Sequence, residues 1–397
     1  MYLNRLVLDE FRTYRHLDLE IPPSGMRIIG RNASGKTSVL EALVMLSTTR
    51  SSRASTDRDV VRWESGAEYA VNPYARMEGT VVSRERTQEV GISLELDAEG
   101  ASVVRKQFLL SGDSVRAHDL IGVLKTVLFS PEDVLLVSGT PSERRRQVDI
   151  LISQIDRSYL AALSQYMRVL PQRNQLLKRF SKERRSARDI SAITEISFWD
   201  DELIASGSLV MAARWLAAAR IADMVAERSK VLVSDAAIGF AYNPRLDLSG
   251  ITSGDISQDQ LRQTVAGLFH DAIEDARFDE FRRGMTLVGP HRDDFTFLIE
   301  GRSLASFGSR GQQRLGVVAY RLAEIDMLEQ RSGERPVLLL DDVLSELDEV
   351  HRDKLIEEIV RCECQLMLTS TEEGMLSHPM LAGLELAEAS GGGIVRP

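Results

Sequence analysis

The sequence predicts an α/β protein with a β-rich start, a helical middle and an α/β end. Three observations predict it. A glycine-rich loop, GRNASGKT at residues 30–37, stands between a short apolar run at 26–29 and the apolar helix pattern SVLEALVML. A continuous apolar run at 337–340 ends in two adjacent aspartates, Asp341 and Asp342. Between them Val148, Leu151, Ile152, Ile155, Leu160, Leu163 and Tyr166 keep helical spacing from Pro141 onward, and 199–231 is a second long helical stretch.

The elements follow in order. Residues 2–9 and 17–21 carry apolar side chains at strand spacing, and 26–29 is a short strand ending at Gly30. Residues 68–130 continue as short β-like pieces broken by Gly and Asn-Pro. After the helical middle, strand-like sequence returns near Thr286, where FTFLIE-GR-SLAS reads as a hairpin. A helix starting in SFGSRGQQR, a buried strand and a further helix complete the chain. Nothing repeats, and the middle is too short and irregular in its heptads for a long coiled coil.

Length and composition bound what this chain can be. At 397 residues, 43% of them hydrophobic and 27% charged, two lobes are the expectation. The opening MYLNRLVLDEFRTYR mixes charges into its apolar positions and so carries no signal-peptide core. No apolar stretch approaches the roughly 20 residues of a membrane span, so a cytosolic protein without a membrane partner is expected. Cys362 and Cys364 form a C-x-C pair with no second pair, which excludes a four-ligand structural zinc site and a disulfide framework.

A net charge of -10 argues against a general nucleic-acid coat. Cations are nonetheless concentrated locally. Arg173, Lys178, Arg179, Lys182, Arg184, Arg185 and Arg188 lie within 171–190 against only Glu183 and Asp189, and Arg144, Arg145 and Arg146 form a smaller block. By charge alone, a solvated helix face accounts for the longer run as well as a ligand does.

GRNASGKT fits G-x-x-x-x-G-K-[ST], and the chemistry explains the composition. Glycines let the backbone wrap until several N–H groups point at one phosphate chain. Lys36 reaches the outer phosphates, Thr37 offers a hydroxyl to Mg²⁺, and the helix that follows adds the positive end of its dipole. The candidate nucleotide-binding set is Gly30, Arg31, Asn32, Ala33, Ser34, Gly35, Lys36, Thr37 and Ser38, with ATP and Mg²⁺ as the expected ligands.

Ligands of parallel sheets bind at the carboxyl ends of strands. There Asp341 is placed for the Mg²⁺ shell, and Asp342 for orienting or deprotonating an attacking water. The start of the helix in SFGSRGQQR is a second anion site, with free N–H groups beside a short hydroxyl. One nucleotide hardly needs two such sites from one subunit. A second subunit facing the first head to tail would set Ser309 and Gly311 on the γ-phosphate held by Lys36. ATP would then join the dimer and hydrolysis release it. A small-molecule kinase has no use for this helix start.

In order, GRNASGKT, FGSRGQQR, VLLLDD and SELD resemble the Walker A, signature, Walker B and D-loop sequences of ABC-type ATPases. More narrowly, the chain resembles the RecF family of recombination mediators, relatives of SMC proteins. The likeness extends through DEFRTY, GKTSVLEAL, LFSPEDVLLVSGTPSERRRQVD, YMRVLPQRNQLLK, LVGPHRDDF and LLLDDVLSELD, which covers most of the chain.

The resemblance implies an ABC-type P-loop ATPase head built from both chain ends, with a compact inserted helical lobe. Residues 1–140 would be the N-terminal part of the head, 141–280 the helical lobe and 281–397 the C-terminal part. It implies a slow ATPase that dimerises on ATP, binds double-stranded and gapped or junction DNA, and works with RecR and RecO to load RecA in the bacterial cytoplasm. It assigns Lys36 and Thr37 to phosphate and Mg²⁺, Asp341 to the metal site and Asp342 to the base position. Ser309, Gly311 and Gln312 would reach across the dimer, and Asp348 would be the D-loop acid. Given the family, Arg173, Lys178, Arg179 and Lys182 become candidates for DNA phosphates.

This chain departs from the pattern at Arg310, where ABC proteins carry glycine, and at the Asp341-Asp342 pair, whose second member is shorter than the usual glutamate. Where ABC transporters have a switch histidine after the last core strand, QLMLTST ends in Thr369, Ser370 and Thr371. An ABC-type subunit coupled to a protein or membrane partner is the alternative, and the basic helical middle speaks against it. In LVGPHRDDF, a purely structural loop and a functional His291 or Arg292 are equally open.

Overall fold

The computed structural model describes residues 1–67, 71–100, 102–232, 237–248, 250–251 and 257–396. Residues 68–70 and 101 of the expected β-like stretch therefore lie outside the described residues. Two compact units form. The first combines Met1–Val134, Glu227–Asp235 and Arg314–Pro397, so an α/β head is assembled from both chain ends. The second comprises Leu135–Ala226 and Ala236–Gln313.

In the first unit, the described residues form two six-stranded sheets. One is antiparallel, Tyr2–Phe11 pairing with both Tyr14–Glu20 and Tyr74–Val82. The other places Thr126–Phe129, Val337–Asp341, Leu366–Ser370, Gly25–Ile29 and Glu385–Ser390 side by side in parallel, with Gly393–Val395 antiparallel at the edge. All five residues of Val337–Asp341 are buried, as expected for a strand covered on both faces. The helix Lys36–Thr48 is buried nearly all round, with Val39, Leu40, Leu43, Met45 and Leu46 in one core with Leu6, Leu8, Met26, Met77 and Met367. Each such side chain contributes roughly 2 kcal/mol of burial, which fixes the loop that precedes this helix.

The second unit is built on three long helices, Arg157–Glu183, Ile190–Leu232 as far as Ala226, and Gln258–Arg283. Their core gathers Tyr166, Val169, Leu203, Met211, Leu261, Val265 and Phe269. Helix Pro141–Ser153 opens this unit with a capping box, Glu143 accepting from the Thr140 backbone N–H at 2.6 Å. The hairpin expected at FTFLIE-GR-SLAS is present, Leu298 pairing with Ser303 and Ile299 with Arg302. Asp294–Ile299 also pairs with Ile238–Asn243, a strand the sequence reading did not register. That pairing is why residues 281–313, expected with the C-terminal head, cluster with the helical unit.

The basic stretch requires one correction. Arg173, a candidate for DNA phosphates, is 1% exposed and cannot reach a solvent-side ligand. Its guanidinium donates to Asp200 at 2.7 Å, Glu280 at 2.7 Å and Thr286 Oγ1 at 2.8 Å. A buried cation must be paired, and three elements converge to pair this one. Lys178, Arg179 and Lys182 are exposed on the same helix, Arg179 in an ion pair with Glu195.

Candidate nucleotide site

Three strand ends bring the site together. Gly25–Ile29 and Val337–Asp341 both pair in parallel with Leu366–Ser370, with Ile29 opposite Ser370 and Asp341 opposite Thr369. The loop 30–35 therefore leaves the sheet beside the acidic strand end. At Gly35, φ is +104°, and a Cβ would meet the Tyr14 hydroxyl at 2.7 Å and Thr13 Oγ1 at 2.8 Å. Only glycine fits there. Gly35 also caps the helix Lys36–Thr48 without a side chain, which leaves the first-turn N–H groups facing the loop. Arg31, Asn32 and Ala33 are exposed, and the buried Ser34 hydroxyl has no hydrogen-bond partner.

Lys36 Nζ donates to the carbonyls of Gly30 at 2.6 Å and Arg31 at 3.0 Å, inside the curl of the loop. Burial pushes its pKa down, opposed by the carboxylates of Asp342 and Asp341. Asp341 is 8% exposed and accepts on one oxygen from Thr37 Oγ1 at 2.9 Å and Thr369 Oγ1 at 2.8 Å. Asp342 sits at φ +53°, with its N–H on Thr369 O at 3.2 Å and its carbonyl accepting from Ser345 Oγ at 2.7 Å. Its buried Oδ1 has no hydrogen-bond partner. Burial pushes the Asp342 carboxyl above the ordinary range, while Lys36 pulls the other way. A carboxylate so placed is a stronger base than a solvated one.

Two residues that the sequence reading missed face this site. Arg53 Nη1 lies 3.8 Å from Asp341 Oδ2, and its Nη2 lies 3.9 Å from Glu132 Oε1. Arg53 is held on its loop because Ser51 Oγ accepts from the N–H groups of Arg53 and Ala54, and Ser51 in turn bonds the buried Glu41. Nothing in the spacing of RSSRAS marks it; only the tertiary path brings that loop to the strand end.

The other expected site residues lie on helix starts. Ser309 and Gln312 form a reciprocal cap at the head of helix Arg310–Ser332: Ser309 N–H donates to Gln312 Oε1 at 2.9 Å and Gln312 N–H to Ser309 Oγ at 3.2 Å. Ser309, Arg310 and Gly311 are exposed. A Cβ on Gly311 would meet only Ser309 Oγ, at 3.9 Å, so the glycine leaves its backbone open to close approach. Asp348 caps helix Glu349–Arg361, accepting from His351 N–H at 3.1 Å and lying 2.6 Å from His351 Nδ1. Hydrogen bonds from His351 hold its carboxyl below the ordinary range.

The LVGPHRDDF loop is knit into the interior of the second unit. His291 Nδ1 accepts from the Tyr166 hydroxyl at 2.5 Å, and Nε2 lies 3.3 Å from Thr286 O. Asp293 is fully buried and accepts from Tyr242 Oη and the Arg245 N–H. Arg144 donates to Asp294 and Arg145 to Asp293 O, so two members of the smaller basic block serve the interior as well. Cys362 and Cys364 are buried, and burial pushes their thiols up to about 11 and about 12. They are inert packing residues.

No helix among the described residues is long and apolar enough to cross a membrane. The family profile described as RecF/RecN/SMC N terminal domain matches residues 2–385. The DNA replication and repair protein RecF of Thermomicrobium roseum is 41% identical over 398 residues, spanning 99% of each chain. RecF of Bacillus velezensis is 32% identical over 396 residues, spanning 100% of each. A solved structure of the recombination mediator protein RecF-ATPrS in the RecFOR pathway superposes with a TM-score of 0.82 at 26% identity, covering 100% of this chain and 98% of that one. The Smc head domain of Pyrococcus furiosus, with a TM-score of 0.51 at 14% identity and coverage of 99% and 95%, shares the fold alone. With an ABC-type head assembled from both chain ends and relatives matched from end to end, the chain belongs to the RecF family.

Proposed function

We propose that this protein is an ATP-gated DNA-binding dimer that acts in recombinational repair. The observation that carries the reading is the joining of Thr37, Asp341 and Lys36 at one strand-end site, with the buried Oδ1 of Asp342 beside them. RecF relatives solved as RecF-ATP and RecF-ATPrS support ATP as the ligand. Gly30, Arg31, Asn32, Ala33, Ser34, Gly35, Lys36, Thr37 and Ser38 cradle its phosphates, and Arg53 adds a cation beside them. Thr37 and Asp341 would hold Mg²⁺, which supplies charge neutralisation at the phosphates. Among the described residues no three of His, Cys, Asp and Glu gather as a metal site, which suits an ion that takes its other ligands from phosphate and water.

Asp342 takes the proton of the attacking water. Its side chain, shorter than the usual glutamate, makes the step slow. Ser309, Gly311 and Gln312 of a second copy meet the γ-phosphate, and Asp348 contributes from the D-loop. Hydrolysis removes the anion on which the two copies close, so the dimer and its hold on DNA are released together. Exposed Lys178, Arg179 and Lys182 contact phosphates of double-stranded and gapped DNA without reading sequence. With RecO and RecR, the ATP form assists RecA loading at gaps in the bacterial cytoplasm.

Light scattering of the Asp342→Asn variant with Mg-ATP, with ADP and without nucleotide tests the reading. A dimer present only with Mg-ATP is expected. A monomer in all three, unchanged when gapped DNA is added, would overturn the shared-site mechanism.

A further inference from the structure

Arg321 stands on the helix Arg310–Ser332, nine residues beyond Gln312, or about 14 Å along the axis. It is 4% exposed and makes a forked contact to Asp133: Nε donates to Oδ2 at 2.9 Å and Nη2 to Oδ1 at 2.8 Å. Nη1 donates to Glu324 on the same helix at 2.7 Å. Asp133 is itself fixed, because the Ser130 N–H and hydroxyl each donate to its carboxylate at 3.1 Å. Ser130 directly follows strand Thr126–Phe129, which pairs in parallel with the strand that ends at Asp341. The segment 130–134 thus runs from the phosphate-side strand ends to the signature helix.

Apolar packing between the two is incomplete. A crevice of about 40 Å³ lies between Phe129, Ser130 and Pro131 on one side and Val317 and Val318 of the helix on the other. At its rim Arg314 donates to Glu346 O at 2.6 Å and pairs with the Glu346 carboxylate, just after Asp342 in the chain. A bidentate guanidinium–carboxylate pair fixes rotation as well as distance, whereas apolar side chains slide. A buried ion pair adds little net stability over apolar residues of the same volume; what it supplies is orientation.

We propose that Asp133 and Arg321 are positioning residues that set the direction of the signature helix from the phosphate-side strand ends, so that Ser309, Gly311 and Gln312 meet the nucleotide held by a second copy of this chain. This rests on the reading of that helix start as acting across a dimer. The pair touches neither nucleotide nor partner; it decides how well the helix start is aimed.

The test compares the full chain with Asp133→Asn, Arg321→Lys, and the double variant Asp133→Asn/Arg321→Gln made in a Glu324→Gln background, in which no buried charge is left facing a lost partner. The control is Ser309→Arg. A fluorescent ATP analogue reads nucleotide affinity, and sedimentation with Mg-ATP reads dimer affinity. The expected result is nucleotide affinity near that of the parent, with dimer affinity weaker by roughly tenfold or more in each variant. A lesion that was merely structural would lower both together. If the single variants fail to fold, the double variant decides. Dimer affinity unchanged in the double variant, while Ser309→Arg loses the dimer, would overturn the positioning role and leave the dimer reading intact. Loss of nucleotide affinity would also overturn it, by placing the pair's effect at the phosphates. A parent protein that never dimerises with Mg-ATP would remove both readings.

Discussion

Thr37 and Asp341, separated by 304 positions in the chain, are joined by a hydrogen bond of 2.9 Å. One is the last residue of the glycine-rich loop sequence and the other the last residue of the acidic strand. Their contact sets a hydroxyl and a carboxylate side by side, the pair proposed above to hold Mg²⁺ against a phosphate chain. Asp341→Asn keeps the hydrogen bonds to Thr37 and Thr369 within reach but removes the charge. Its ATP affinity measured with Mg²⁺ should fall by about tenfold or more, while affinity in EDTA stays near the parent value. Calorimetry under the two conditions checks this.

Under the proposed mechanism, substitutions at Lys36 and Ser309 should separate binding from assembly. Lys36→Met should abolish nucleotide binding and, with it, the ATP-dependent dimer. Ser309→Arg should leave nucleotide affinity within about twofold and still prevent dimerisation, because an arginine at an open helix start blocks close approach. Paired binding and light-scattering curves distinguish the two. Dimerisation of Ser309→Arg with ATP would remove the trans role from that serine.

Arg173 and Lys182 lie nine residues apart on one helix and should behave oppositely. Arg173→Ala leaves Asp200 and Glu280 buried beside a lost cation, at a cost of about 3–5 kcal/mol, seen as a lower melting temperature. Lys182→Ala should leave melting unchanged and reduce the slope of log affinity for DNA against log salt by about 1. Fluorescence anisotropy across a salt series reads the second effect.

His291 carries a pH dependence. Burial, helped by the neighbouring cations Arg292, Arg145 and Arg173, depresses its pKa to about 4, while Thr286 O opposes the shift. The unfolded chain holds the ring near about 6.5. Between these values the unfolded state binds more protons, so stability rises with pH and is lost as pH falls from 6.5 toward 4. His291→Gln should remove that part of the slope. Thermal melts followed by the fluorescence of Trp199 and Trp215 at pH 7.5, 5.5 and 4.5 compare the two proteins.

Much of the site was legible because its chemistry is local. A loop that must wrap a phosphate chain needs its glycines, lysine and threonine at fixed offsets, and a doubly covered parallel strand must be apolar until its carboxylates emerge. The Pro141 helix start is local in the same way, but the Ser309–Gln312 cap was not read: it occupies two N–H groups and the hydroxyl that the sequence reading expected to be free. Arg53 was not legible, since its position depends on where a loop after the helix Lys36–Thr48 returns to the sheet.

From the sequence alone come the glycine-rich loop between a strand and a helix, the acidic strand end, the helical middle and the family. Tertiary structure alone decided which cations face water. In 171–190 every arginine and lysine looks alike to a charge count, yet Arg173 is sealed inside by Asp200, Glu280 and Thr286, which arrive from 27, 107 and 113 positions away. Likewise Arg321 is an ordinary helix arginine until Asp133, 188 positions earlier, closes on it. Local composition sets what a residue is able to do; burial and the partners delivered by distant segments set whether its charge reaches solvent or is spent inside the protein.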